Sequence, residues 1–262
     1  MFRNLIIVLA ALMVGEAQAG IAVEPAYVNL DLNVGRASGQ FIITNTGNKE
    51  ERYRVNASHF TYDDSGTLQL ADPNGEHSMA MWIKFNPKEF TLPPNSKRVV
   101  RYVVLPKTKV KNGQYWAAME LESLEGRDYT TDDGAGRTFN LKVVPAVLAP
   151  MFGKQGQVVY DFDVKAVELK KTARNKMALE VEIENLGNTV ISFRGLYEIV
   201  NEAGEQLVES TMDGGMLLRE KTRKFVTFIE PDIPPGKYKL NIFYGYRETD
   251  KTIERTLDLV IE

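Results

Sequence analysis

Apolar and polar residues alternate over short runs along most of this chain, and turn residues close the runs about every ten positions. Tyr53, Val55 and Ala57 alternate with Arg54, Asn56 and Ser58, the period of a strand with one buried face. Phe41-Ile42-Ile43 is a short apolar run that ends in the turn cluster Asn45-Thr46-Gly47-Asn48. Asp63-Asp64-Ser65-Gly66 has the residues of a hairpin turn, because Asp and Gly tolerate the backbone conformations it needs. Val99 and Tyr102 to Leu105 form another strand, stopped by Pro106, and Tyr115 to Leu121 follows a Lys111-Asn112-Gly113 turn. Long helical periodicity is absent. The pattern predicts an all-β chain of antiparallel sandwiches.

One stretch breaks the alternation. "TFNLKVVPAVLAPMF", residues 138–152, is apolar on both faces, with Asn140 and Lys142 as its strongly polar residues. Three readings account for such a run: a buried core strand, a junction between domains, or a strand offered to another protein. Pro145 cannot donate to a ladder, which places the strand at a sheet edge for part of its length. An apolar edge strand is a liability unless something covers it.

The chain also echoes itself. Ile43-Thr44-Asn45-Thr46-Gly47-Asn48 has a counterpart in Glu184-Asn185-Leu186-Gly187-Asn188, and Asn112-Gly113-Gln114-Tyr115 has one in Pro235-Gly236-Lys237-Tyr238. Order and spacing are similar in the two halves, which argues for two immunoglobulin-like sandwich domains in tandem, residues 20–152 and 157–262. The boundary is expected between Pro150 and Gln157, with Gly153-Lys154-Gln155-Gly156 as a short flexible link. Val147, Leu148 and Met151 are the residues expected to meet the second domain.

Residues 1–19 read as a cleavable export signal: a short basic start, an apolar stretch from Leu5 to Val14 too short to span a bilayer, and Ala17-Gln18-Ala19 before a cut at Gly20. The expected location is the periplasm, without stable membrane insertion. The chain has no cysteine, so it folds on apolar burial without disulfides. A net charge of −3 with no long block of one sign gives no nucleic-acid face. His59 and His77, the two histidines, lie apart in sequence with no cysteine beside them, and no metal site or cofactor is expected. His59 reads as a structural histidine, and Asp63-Asp64 and Asp132-Asp133 as polar hairpin tips without calcium-loop spacing. Trp82 and Trp116 read as core. Ser123 to Gly136, rich in Gly, Asp, Glu and Thr, reads as a long mobile loop. No catalytic motif is present, and no enzymatic activity is expected.

Several segments of the first half, in order, resemble the periplasmic pilus chaperones of the chaperone–usher family. "VEPAYVNLDL" (23–32) resembles their first strand, "FIITNTGNKEERYRV" (41–55) their second and third, and "WIKFNPKEFTLPPNSKRVVRYVVLP" (82–106) their Trp, Leu-x-Pro and "VR" elements. "NGQYWAAMELES" (112–123) resembles the penultimate strand of the first domain, and "RTFNLKVVPAVLAP" (137–150) falls where that family keeps the last one. The match covers most of residues 20–152; the second domain fits in size and class. The resemblance implies a chaperone that lends its last first-domain strand to pilus or other surface-fibre subunits lacking a strand of their own, delivery to an outer-membrane usher, and self-association through the same edge. Phe139, Leu141 and Val143, continued by Val147, are the side chains it would lend. Burying each is worth about 1.5–3 kcal/mol. The family's paired basic anchor for the subunit's terminal carboxylate is incomplete here. The first strand offers Ala26 and Tyr27, and Lys142 or Arg137 on the last strand is the candidate cation. A tandem-sandwich binding or scaffold protein of the cell envelope, with the last strand internal, is the alternative reading.

Overall fold

The computed structural model describes residues 20–63, 66–107, 110–132, 138–172, 176–229, 233–246 and 252–261. The described residues contain nineteen strands and one 3-10 turn, Ala80–Trp82. The first sandwich holds β1 (Ile21–Glu24), β2 (Val28–Asp31), β3 (Ala37–Asn45), β4 (Glu51–Tyr62), β5 (Leu68–Ala71), β6 (Ile83–Asn86), β7 (Glu89–Leu92), β8 (Lys97–Val104), β9 (Gly113–Ser123) and β12 (Ala146–Gln155). Between β9 and β12 lie β10 (Arg127–Asp132) and β11 (Thr138–Val143). The second sandwich is built from β13 (Phe162–Lys171), β14 (Met177–Asn185), β15 (Ile191–Val200), β16 (Gln206–Leu217), β17 (Thr222–Ile229), β18 (Gly236–Tyr246) and β19 (Thr252–Ile261).

In the first sandwich, β1-β3-β8-β6 face β2-β12-β9-β4, with β5 and β7 each added to part of β4. The chain changes sheets at its start: β1 runs antiparallel to β3, while β2 runs parallel to β12. Phe41, Ile43, Val100, Val104, Met119 and Met151 are fully buried between the sheets. In the second sandwich β13-β14-β17 face β16-β15-β18-β19 over Leu179, Ile183, Ile191, Ile199, Leu240 and Leu259. Each half has its own apolar core.

The echoed Asn-x-Gly signals do the same job in both halves. Asn45 is fully buried; its Nδ2 donates to the carbonyls of Lys49 (2.7 Å) and Leu92 (2.9 Å), and its Oδ1 accepts from Gly47 N (2.9 Å). Asn185 donates to Thr189 O (2.8 Å), Leu217 O (3.2 Å) and Leu218 O (3.2 Å), and accepts from Gly187 N (3.0 Å). A buried amide thus fastens each turn to a strand of the opposite sheet.

Two expectations are corrected. The stretch Gly153-Lys154-Gln155 is no flexible link, because β12 runs to Gln155, paired with β9 and β2. Gly153 is there for packing: a Cβ on it would lie 2.6 Å from Leu32 Cδ1 and 3.1 Å from Met79 Sδ. The connection between sandwiches is residues 156–161. Ser123 to Gly136 is not one loop either. Arg127–Asp132 forms β10, which pairs with β11 from Arg127↔Val143 to Asp132↔Thr138. A ladder satisfies backbone groups that a loop of this length would leave to water. Residues 133–137 lie outside the described residues.

Candidate functional site

The apolar stretch sorts its residues by strand alternation. On β12, Val147, Ala149 and Met151 pack into the first-domain core, with Met151 fully buried and Val147 half-buried. Leu148 and Phe152 point to the opposite face. There they join Phe60, Trp116 and Ala118 from the first domain and Leu218, Val190 and Met216 from the second. The junction expectation is therefore corrected: Leu148 joins the cluster at the seam, whereas Val147 and Met151 join the first-domain core. Trp116 is buried in this seam and donates from Nε1 to Phe60 O (2.8 Å); Trp82 lies in the first core.

Polar contacts tighten the seam. Gln114 donates its N–H to Asn188 O (2.8 Å), and its Oε1 accepts from Thr189 Oγ1 (2.8 Å) and Val190 N (2.9 Å). Gly113, with φ of +133°, lets the two backbones meet: a Cβ there would sit 2.7 Å from Asn188 O. Arg223 reaches from β17 between the rings of Tyr62 and Phe225, its Cζ 4.9 and 4.7 Å from their centres, and bonds to Met216 O (2.8 Å) and Gly66 O (3.4 Å). The two histidines, distant in sequence, converge on Trp116, with ring centres 5.3 Å (His59) and 5.6 Å (His77) away. His77 also reaches Glu220 of the second domain at 3.2 Å. The sequence reading missed Leu218, Arg219 and Arg223. The one signal for them is the apolar pair Leu217-Leu218: Leu217 fills the second core and Leu218 the seam.

Beyond the seam the same strand runs free. The parallel partner β2 covers β12 only from Met151 to Lys154, so among the described residues β11 and residues 146–150 pair on one side only, with β10 and β9. Glu122 and Arg127 are five positions apart, where their partners Ala146 and Val143 are three apart, so the ribbon bends at 124–126. Val143 and Val144 each keep 44 % of their surface exposed beside Pro145. Phe139, Leu141 and Lys142 stand on β11 opposite Thr131, Tyr129 and Asp128; only their backbone is described. Positions 139, 141 and 143 alternate with 140 and 142 along this strand. Arg137 lies outside the described residues. Tyr27 is 59 % exposed, between β1 and β2.

No family model and no curated protein sequence matches the chain. Solved structures do. The YadV chaperone superposes with a TM-score of 0.50 at 9 % identity, over 92 % of this chain and 100 % of that one. The fold is that of the pilus chaperones. The class 5 fimbriae chaperone CfaA is also similar, at 0.48 and 11 % identity over 90 % and 98 % of the two chains. So is a chain of a chaperone–tip adhesin complex of CFA/I fimbriae biogenesis, at 0.45 and 12 % over 92 % and 98 %. In this chaperone fold the apolar edge belongs to the first sandwich and emerges from the interdomain seam. Among the described residues no helix is long and apolar enough to cross a membrane, and no group of three or more His, Cys, Asp or Glu gathers to hold a metal.

Proposed function

We propose that this protein is a non-catalytic periplasmic chaperone that holds pilus or other surface-fibre subunits by lending the edge strand 138–144. One observation carries the reading: among the described residues the strand has an unpaired edge and exposed valines outside the seam, while its continuation from Val147 is engaged at home. A subunit strand laid along β11 would satisfy its free N–H and C=O groups, and alternate side chains (Phe139, Leu141, Val143) would enter the subunit's groove. Val147 serves as the point where lending stops. Lys142 or Arg137 is the cation available for a subunit carboxylate, and one such contact is weaker than a desolvated pair.

The test is recovery of the mature protein from the periplasm of its own host, beside a Phe139→Glu, Leu141→Glu, Val143→Glu variant. A small β-rich subunit should accompany the wild type and be missing from the folded variant. Undiminished capture by the variant would overturn strand lending. Unfolding of the first domain by the substitutions would instead favour the scaffold reading, with this strand internal.

A further inference from the structure

Arg219, in the turn after β16, places in the seam a cation that the described residues satisfy only in part. Its side chain is 6 % exposed, and Nη2 donates to Glu220 Oε1 at 2.7 Å. Nε and Nη1 are buried with no hydrogen-bond partner among the described residues. The guanidinium faces the Tyr115 ring, with Cζ 5.9 Å from its centre, and Gly113 makes room, since a Cβ there would lie 2.6 Å from Nη1. A buried cation with unfilled donors is costly, and native proteins fill such donors with water or an anion.

A cavity of about 260 Å3 opens beside it, lined by Glu76, His77, Ser78, Lys107, Lys111 and Arg219 among others. Lys107 and Lys111 are exposed at its walls. The local charges do not cancel. Lys111 lies 3.8 Å from Glu76, and Glu220 takes both Arg219 and His77, but Lys107 has no ion pair among the described residues. Three permanent cations face two carboxylates.

We propose that this cavity binds a small oxyanion, whose oxygens accept from Arg219 of the second domain and from Lys107 and Lys111 of the first. A guanidinium offers fixed donors suited to such oxygens, and the lysines add charge. The ligand would bridge the two domains, so its binding raises the stability of the pair. This site is separate from the edge strand and stands whether or not that strand is lent.

The experiment follows thermal unfolding of the whole mature protein at pH 7 and fixed ionic strength, in chloride, phosphate, sulfate or acetate. Phosphate and sulfate stabilise many proteins by exclusion from their surface, so a Lys107→Ala/Lys111→Ala variant is run in the same salts. Millimolar phosphate should raise the wild-type midpoint by about 2–4 °C over the rise in the variant. A response to phosphate and sulfate alone marks a tetrahedral anion, and one to acetate as well marks a carboxylate site. Arg219→Gln, if it folds, should lose the response. Equal salt effects in wild type and double-lysine variant would overturn the proposal and leave the Arg219 donors to water.

Discussion

The two domains end on the same kind of strand and treat it in opposite ways. β19 pairs with β18 along its whole length and has no other strand partner among the described residues, so it too is a sheet edge. It exposes Thr252, Glu254, Arg255, Thr256, Asp258 and one apolar residue, Val260, and buries Ile253 and Leu259. Asp258 pairs with Lys239 at 2.6 Å, and Arg255 reaches Val164 O at 3.3 Å across to the other sheet. Charge of this kind is how sheets discourage unwanted pairing. The edge of the first domain, residues 138–150, carries one charged residue, Lys142. The same protein therefore holds a guarded edge and an unguarded one. An apolar terminal strand is not something this fold requires, and its presence in one half calls for a partner.

The comparison breaks most sharply if the guard is moved. Val143→Glu with Val144→Lys places charges on an edge where both side chains are already exposed, so the fold should lose no more than about 0.5 kcal/mol. Subunit capture should fall by about 100-fold, because the lent Val143 contact of about 1.5 kcal/mol is lost and an unpaired carboxylate carried into the subunit's groove costs at least as much again. Binding of a purified subunit measured beside a melting curve separates the two effects. Unchanged affinity would mean that the edge is not the contact.

Where the domains agree, the effect of mutation should agree as well. Asn45→Ala and Asn185→Ala each strand several buried backbone groups, and each should destabilise its own domain by about 2–3 kcal/mol. Hydrogen exchange resolved by segment should place the loss around β3 and β7 for the first variant and around β14 and β16 for the second. A smaller effect comes from removing the guard: Glu254→Val with Asp258→Val should leave the fold intact and produce concentration-dependent self-association by sedimentation, as an unguarded apolar edge does. A monomer at all concentrations would show that the missing charges are not what exposes the first-domain edge.

The architecture was legible because its signals are local. Alternation at Tyr53, Val55 and Ala57 marks β4, all three facing the first core, and the repeated Asn-x-Gly turn marks both sandwiches because the buried amide needs that residue at that place. The two-faced apolarity of 147–152 was legible too, but its division was not. Which face of β12 meets the core and which meets the second domain depends on register against β9, and no local signal fixes that. The seam residues Arg219 and Arg223 were invisible for a similar reason: a cation looks solvated in sequence until a ring or a partner domain closes over it. Gly153 misled because glycine marks close packing as often as freedom, and only Leu32 and Met79 beside it decide.

The smallest effect sharpens the comparison through pH, since both histidines belong to the first domain and lie at the seam. Burial holds His59 below its ordinary range, against the pull of the Trp116 carbonyl and Asp72, with His77 adding to the depression. His77 is also held low, by burial and then by Arg219, against Glu220 and Glu76. Folded, both rings stay neutral at a pH where the unfolded chain already takes up protons, near 6.5. The unfolded state then binds more protons, so stability falls as pH drops below about 6.5 and levels off once the folded rings are protonated too. Glu220 works in a separate window: its pairing with Arg219 lowers its value, so that contribution is lost only below about pH 4.5. Urea unfolding followed by tryptophan fluorescence from pH 7.5 to 5 should show the first decline, and His59→Gln/His77→Gln should flatten it. An unchanged slope in that variant would assign the acid sensitivity to groups away from the seam.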